Sequence, residues 1–221
     1  MYGRRSEPSG YQCRKSHSAA FACRYRLHSH RVRLAHEVRV LWATHSVHHS
    51  SPDFTMAVSV RILFLDAFYE WIFFIPLVLL GFPVVAVLLG WGTVIAYQGW
   101  IHTEMVPKLG VLDVVFNTPS NHRVHHGSDE AYLDKNYGGL TVVFDRLFGT
   151  YQREQQRPVY GLTKQIGTNN PMKVQLNEIR ALAADLKAAD SGRVRWKHLI
   201  RGPGWRPGSP SATAASSSSG T

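Results

Sequence analysis

The sequence is poor in cysteine, with only Cys13 and Cys23 among 221 residues. Both fall in a poorly patterned N-terminal stretch, so neither a disulfide framework nor a cysteine-built metal site follows. Residues 1–35 contain no apolar run of the kind that forms the centre of a secretory signal. There is no GxSxG, which excludes the usual serine nucleophile elbow. No GxGxxG follows a strand pattern, so a nicotinamide site is not supported and reducing equivalents must come from a partner. His36-Glu37 opens like the HExxH of zinc proteases, but Val40 stands where the second histidine belongs. Charge is the last absence. Trp71 to Ile101 holds no Asp, Glu, Lys or Arg, and all 25 Lys and Arg lie outside residues 62–107.

The length allows one domain with tails. The balance is basic, 25 Lys+Arg against 15 Asp+Glu, which calls for an anionic partner. The cations sit at both ends and on no legible recognition element, so a membrane surface is expected and nucleic acid is not. Residues 1–32 are rich in Arg, Ser and His without periodicity and read as a disordered or aberrant extension. Within 33–49, Leu34, Val38, Leu41 and Trp42 fall at helical spacing, and Ser50-Ser51-Pro52-Asp53 ends the pattern.

As one helix, the uncharged run from Trp71 to Ile101 would measure roughly 46 Å, against a hydrocarbon core of about 30 Å. Gly81-Phe82-Pro83 divides it. The expectation is two spans, about 61–80 and 83–102, with Asp66 and Glu70 near the start of the first. A buried hairpin in a soluble protein is the alternative, but helices apolar on every side usually face lipid. The positive-inside rule places both outer ends on the cytoplasmic side. Loops and short helices are expected over 103–151. Asn170-Pro171 reads as a cap and first helical position. Met172, Leu176, Ile179, Ala183 and Leu186 then form a stripe, facing either the membrane surface or the protein's own domain. Residues 207–221 are low-complexity and read as a disordered tail.

Against this frame, "HSVHH" at 45–49 and "HRVHH" at 122–126 stand out. On a helix, positions i, i+3 and i+4 share a face, so His45, His48 and His49 group together, as do His122, His125 and His126. Imidazole is neutral at pH 7 and suits Fe, Zn or Cu. Six such nitrogens exceed one tetrahedral ion's need, so two metals are the economical reading. His36 lies nine residues before His45 and His102 closes the second expected span, at the membrane–water boundary; both are candidates to complete the set. His17, His28, His30 and His198 read as structural or surface residues. Two membrane crossings return the chain to the side it left, so both clusters emerge on one face.

"HEVRVLWATHSVHHSS", the apolar hairpin, "WIHTE" and "NTPSNHRVHHGSDEAYLDKNYGGLTVVFDRLFGTY" together resemble the sterol desaturase / fatty acid hydroxylase superfamily, most closely its bacterial sterol desaturase family proteins. The likeness covers about residues 33–206. It implies a mainly α fold, in which a membrane helical hairpin carries a cytosolic histidine-rich helical cap holding a dinuclear metal site. It also implies two Fe ions, with Zn a possible substitute, and O2 as co-substrate. The activity implied is hydroxylation or desaturation at C–H bonds of a membrane lipid, sterol or acyl. Electrons would come from a separate donor, such as a cytochrome b5-like or ferredoxin/reductase system. The ligands implied are His36, His45, His48, His49, His102, His122, His125 and His126. Some relatives have a further histidine where this chain has Gln98, which is left out of that set.

One departure stands out. The family's first box reads H-R-x-x-H, and Val32 occupies the place of its first histidine. His30 is six residues from His36, about 240° around a helix, and does not replace it. The upstream spans usual in the family are not seen. The expectation is a truncated or frame-shifted N-terminus, and the alternative function is a catalytically impaired metal-binding membrane protein. Asp129, Glu130, Asp134 and Asp145 are candidates to orient imidazoles, or ordinary loop residues. Tyr137 is expected near the site, in the turn Asn136-Tyr137-Gly138-Gly139. Trp71, Phe73, Phe74 and Trp91 either line a lipid entry path or face lipid.

Overall fold

The computed structural model describes residues 29–62 and 66–208. The extension 1–32 and the tail 207–221 lie outside these apart from 29–32 and 207–208, as do His17 and His28. The described residues are helical, with no β-strand among them and two isolated bridges, Phe116 with Thr141 and Gly127 with Tyr160.

Residues 29–37 form α1, and α2 follows at Arg39–His49. The helical pattern over 33–49 is therefore interrupted. Val38 is extended (φ −114°, ψ 111°), and the Arg39 amide donates to Arg201 O at 3.1 Å. A carbonyl 162 residues downstream takes the N–H that would have continued α1. Ser50 ends α2 by bonding back to Val47 O at 2.6 Å. A 3-10 turn, Met56–Val60, leads to the apolar segment.

That segment differs from two equal spans. Residues 66–79 are helical in three pieces, α3 (Asp66–Tyr69), a 3-10 turn (Glu70–Phe74) and α4 (Ile75–Leu79). Pro76 explains the break: it has no N–H to donate and its ring crowds the carbonyl four residues back, so an α-ladder cannot run through Ile72. Gly81 turns the chain at φ +88°, a conformation glycine adopts without strain. Pro83 then starts α5, Val84–Ile101. At 1.5 Å per residue α5 is about 27 Å long. Among the described residues it alone is long and apolar enough to cross a membrane. It buries Val87, Val94 and Ile101, seven residues apart on one stripe, and exposes Val85, Leu88 and Leu89. Phe74 and Leu77 pack on Val87, with Phe82 and Trp91 at the edge; Trp71 is exposed.

Beyond α5 come α6 (Pro119–His125), α7 (Val143–Phe148), α8 (Pro171–Ala188) and α9 (Gly192–Ile200). The Asn170 side chain caps α8, accepting from Lys173 N at 3.1 Å. Helix α8 turns a different face inward than the expected stripe: it buries Val174 and Leu182, and Val174 packs on Val47 of α2 with Ile166 and Ile179 beside it, while Met172 and Ala183 of the stripe are exposed. Buried Arg39 fixes this register, donating to Glu178 at 3.0 Å and to Asp185, with His198 Nδ1 at 3.4 Å. Helices α8 and α9 thus brace the back of α2, leaving its other face to the histidines.

Candidate metal centre

Four segments deliver imidazoles to one place. His36 comes from α1, and α2 supplies His45, His48 and His49. His102 follows the last turn of α5, and α6 brings His122 and His125 with His126 at its end. They sort into two groups of four, His36/His45/His49/His125 and His48/His102/His122/His126. Within each group the candidate ligand atoms lie within 4.8 Å of one another. The helical spacing explains the sorting. One turn of α2 sends His45 and His49 to the first group and His48 to the second, while α6 gives one ring to the first and two to the second.

The groups adjoin. His49 and His126 stack at 4.3 Å between centroids, and His48 lies 5.4 Å from His49. Inside the groups the Nε2 atoms face each other: His45 to His49 at 3.2 Å, His48 to His102 at 3.2 Å, and His102 to His122 at 2.9 Å. Two nitrogens about 2.0–2.1 Å from one ion, at tetrahedral or octahedral angles, are roughly 2.9–3.4 Å apart.

Outward-facing nitrogens are held by the backbone. His48 Nδ1 is 3.0 Å from Val58 O, His102 Nδ1 is 2.6 Å from Gln98 O, and His125 Nδ1 is 3.1 Å from Lys135 O. A carbonyl accepts only, so each Nδ1 carries its proton and each Nε2 presents a lone pair inward. Gln98 thereby contributes its main chain. Burial first, and then repulsion from neighbouring imidazoles, holds His45, His48, His49, His122 and His126 well below the ordinary histidine range; His125 falls to about 3. These rings are neutral at pH 7.

A resident metal fits these residues. His36 Nε2 and His126 Nε2, one in each group, are buried without a hydrogen-bond partner. An orphaned buried nitrogen costs about 1–3 kcal/mol, and coordination would remove that penalty. Phe54, 3% exposed, lies against His102, His122 and His126 and stacks on Tyr160 at 5.0 Å, closing one side to water. Trp42 closes the other side against His36 and His49.

The loop beside these groups is held in a fixed shape by its own hydrogen bonds. Asp134 and Asn136 have positive φ, 57° and 53°, which Asp and Asn tolerate better than most residues. They flank Lys135, whose carbonyl holds His125. Asn136 is fully buried; its side chain donates to Asn121 O and Gln152 O and accepts from Gln152 N. Asp145 accepts from the amides of Tyr137 and Gly138 at 2.7 and 2.9 Å, and this sets the Tyr137 ring 5.3 Å from His36. A Cβ at Gly138 would meet Thr141 O at 2.0 Å, so only glycine fits there.

Of the four acidic candidates, Asp134 lies 3.4 Å from His36 Nδ1 and Asp145 shapes the Tyr137 turn. Asp129 binds Val159 N, and Glu130 is exposed. His30 rests on Phe148 and His198 on Trp205, both outside the two groups. Val32 is buried.

Sequence reasoning missed Arg123 and Glu154. Arg123 sits between the α6 histidines and pairs with Glu154 through two bonds, at 2.9 and 2.8 Å. Its Nη1 also donates to Thr103 O and Val106 O, which ties α6 to the chain just after His102. Ser120 donates to Glu154 at 2.6 Å. An arginine inside a histidine box was a legible signal; nothing marked Glu154.

Comparison with known proteins agrees in kind. The family model for fatty acid hydroxylase matches residues 20–150. Alkylglycerol monooxygenase of Homo sapiens is 42% identical over 80% of this chain and 40% of its own length, and that of Danio rerio is 41% identical over the same shares. Ornithine lipid hydroxylase OlsE of Rhizobium tropici is 39% identical over 54% of this chain and 36% of its own. The chain thus spans about 40% of the length of these curated relatives. No solved structure matches.

Proposed function

The chain belongs to the fatty acid hydroxylase family, and from that premise we propose that it is an O2-dependent di-iron enzyme that hydroxylates a C–H bond of a membrane lipid. The observation that carries this reading is the pairing of two adjoining four-imidazole groups with no carboxylate in either. His36, His45, His49 and His125 would hold one iron, and His48, His102, His122 and His126 the other. Bound there, iron supplies the activation of O2 and the abstraction of hydrogen from an unactivated C–H bond.

The chain's own residues do the rest. The Val58, Gln98 and Lys135 carbonyls keep the rings turned inward, Phe54 and Trp42 keep water out, and the two groups offer imidazoles with no carboxylate, so a cluster bound there would keep its positive charge. The apolar segments form a membrane hairpin, with α5 as one span and 66–80 as the shorter one. Both histidine segments then emerge on the cytoplasmic face, where a lipid chain rising from the bilayer reaches them. The catalytic unit is residues 33–206, and a separate redox protein supplies electrons. The names of the relatives point to lipids that join long chains to a polar head, as in alkylglycerol and ornithine lipid.

Purified protein in lipid nanodiscs, supplied with O2 and a reductant system, tests this directly. We expect about two irons per chain and a hydroxylated product from alkylglycerol or ornithine lipid. Val32 favours a second reading, in which the chain binds metal without turnover. Partial loading and no oxidised lipid across both substrates would select it.

A further inference from the structure

The segment between the second span and α6 exposes apolar side chains that the metal site does not use. Met105 is 91% exposed and Val111 82%; Leu112, Val114, Val115 and Phe116 follow, each more than two-fifths exposed. Val143, Leu147 and Phe148 of α7 add to them, with Leu147 at 71%. These stretches are stitched edge to edge: Val142 N donates to Val115 O at 3.0 Å, Asn117 N to Leu140 O at 2.9 Å, and Arg146 Nε to Val114 O at 2.8 Å. They therefore form one surface. A continuous apolar patch on a folded chain marks a binding face.

We infer that residues 109–116 and 143–148 are a second membrane contact, lying in the headgroup zone of the bilayer beside α5. Position argues for lipid as the occupant. The Tyr97 hydroxyl donates to Asn117 O at 3.1 Å, which ties the chain just after Phe116 to the C-terminal part of α5 and holds the patch near the end of that helix. Charge argues the same way. Between 105 and 116 and between 140 and 150 the ionic residues are Lys108, Asp113, Asp145 and Arg146. Both acids are buried and bonded inward, Asp113 to Thr118 and Asp145 to the 137–138 turn; both exposed ions are cations. Apolar side chains edged by cations suit an anionic lipid surface. Because α6 begins three residues after Phe116, this contact would set the depth of the α6 histidines relative to the acyl chains. The inference rests on α5 as a membrane span.

The test uses the full chain with Cys13→Ser and Cys23→Ser, reconstituted in phosphatidylcholine/phosphatidylglycerol vesicles. Nitroxide labels are placed one at a time at Val111→Cys, Leu147→Cys, Leu88→Cys on α5 and exposed Lys164→Cys. Relaxation by O2 is compared with relaxation by a water-soluble nickel chelate. Labels at 111, 147 and 88 should favour O2 several-fold, and the label at 164 should favour nickel. Nickel-favouring labels at 111 and 147 beside an O2-favouring 88 would overturn the contact while leaving the span in place. A nickel-favouring 88 would overturn both. Labels at 111 and 147 shielded from both relaxants, with spin–spin broadening between them in separate chains, would show a second copy on this face and overturn lipid as its occupant.

Discussion

His49 and His126 stack at 4.3 Å with their planes 20° apart, although each belongs to a different four-histidine group. Removing either ring opens one group and leaves the neighbouring wall unsupported. His49→Ala and His126→Ala should each lower bound iron from about two per chain to one or fewer, and the double variant should hold almost none. His198→Ala, outside both groups, should keep the full load. Elemental analysis of the purified variants decides this, and a double variant with two irons would remove the site from these residues.

Arg123 and Glu154 are 7% and 8% exposed in their side chains. Breaking a buried pair from one side leaves an uncompensated charge, at about 3–5 kcal/mol. Arg123→Met or Glu154→Gln should therefore lower thermal stability sharply in detergent. The paired Arg123→Met/Glu154→Met variant should recover much of the loss, because it removes both charges together. A double variant as unstable as the sum of the singles would show that the two residues do not act as a pair.

Asn136 separates two contributions. Asn136→Ala loses three side-chain hydrogen bonds and meets the left-handed backbone with a Cβ. Asn136→Gly loses the same bonds without that backbone penalty. Chemical denaturation should find Ala less stable than Gly by about 1 kcal/mol. Equal stability would mean that the loop shifts out of the left-handed region.

Asp145→Asn replaces an acceptor of two amides by a group that can accept through only one oxygen. The expected loss is about 2 kcal/mol, the scale of one hydrogen bond to a charged group. Because that turn seats Tyr137 near His36 and His125, metal should be lost from the first group before the second. Titration with a graded chelator, followed by the metal absorption spectrum, would resolve two unequal steps in the variant.

Metal removal should itself destabilise the chain, since binding to the folded state alone adds stability by mass action. Exhaustive chelation should lower the melting temperature, and re-addition of Fe(II) or Zn(II) should restore it. An unchanged melting temperature would place the ions away from the fold's load.

Much of the site was readable because its signals are local. The i, i+3, i+4 spacing put His45, His48 and His49 on one helix face, and the same rule held for His122, His125 and His126. Within α2 and α6 the i and i+4 rings share a group and the i+3 ring goes to the other, as helix geometry dictates; which group His36 and His102 each join was not readable, since it depends on where α1, α5 and α6 meet. The glutamate behind α6 was also hidden: Glu154 lies 31 residues from Arg123 in an irregular stretch without periodicity. The break at Val38 depends on the Arg201 carbonyl, which no window around residue 38 contains. The broken helix in the apolar segment before Gly81 was readable in principle from Pro76, whose effect on the preceding turn is a rule of covalent geometry.

Each group of four draws on three stretches of chain far apart in sequence: 36, 45/49 and 125 for one, and 48, 102 and 122/126 for the other. No single helix contains a whole group, and each is complete only in a fragment that reaches His125 or His126. During biogenesis an ion can therefore be captured fully only after the last of these stretches has been synthesised and docked. Metal loading would then report completed assembly, and a chain stalled after Leu80 would hold neither set of four.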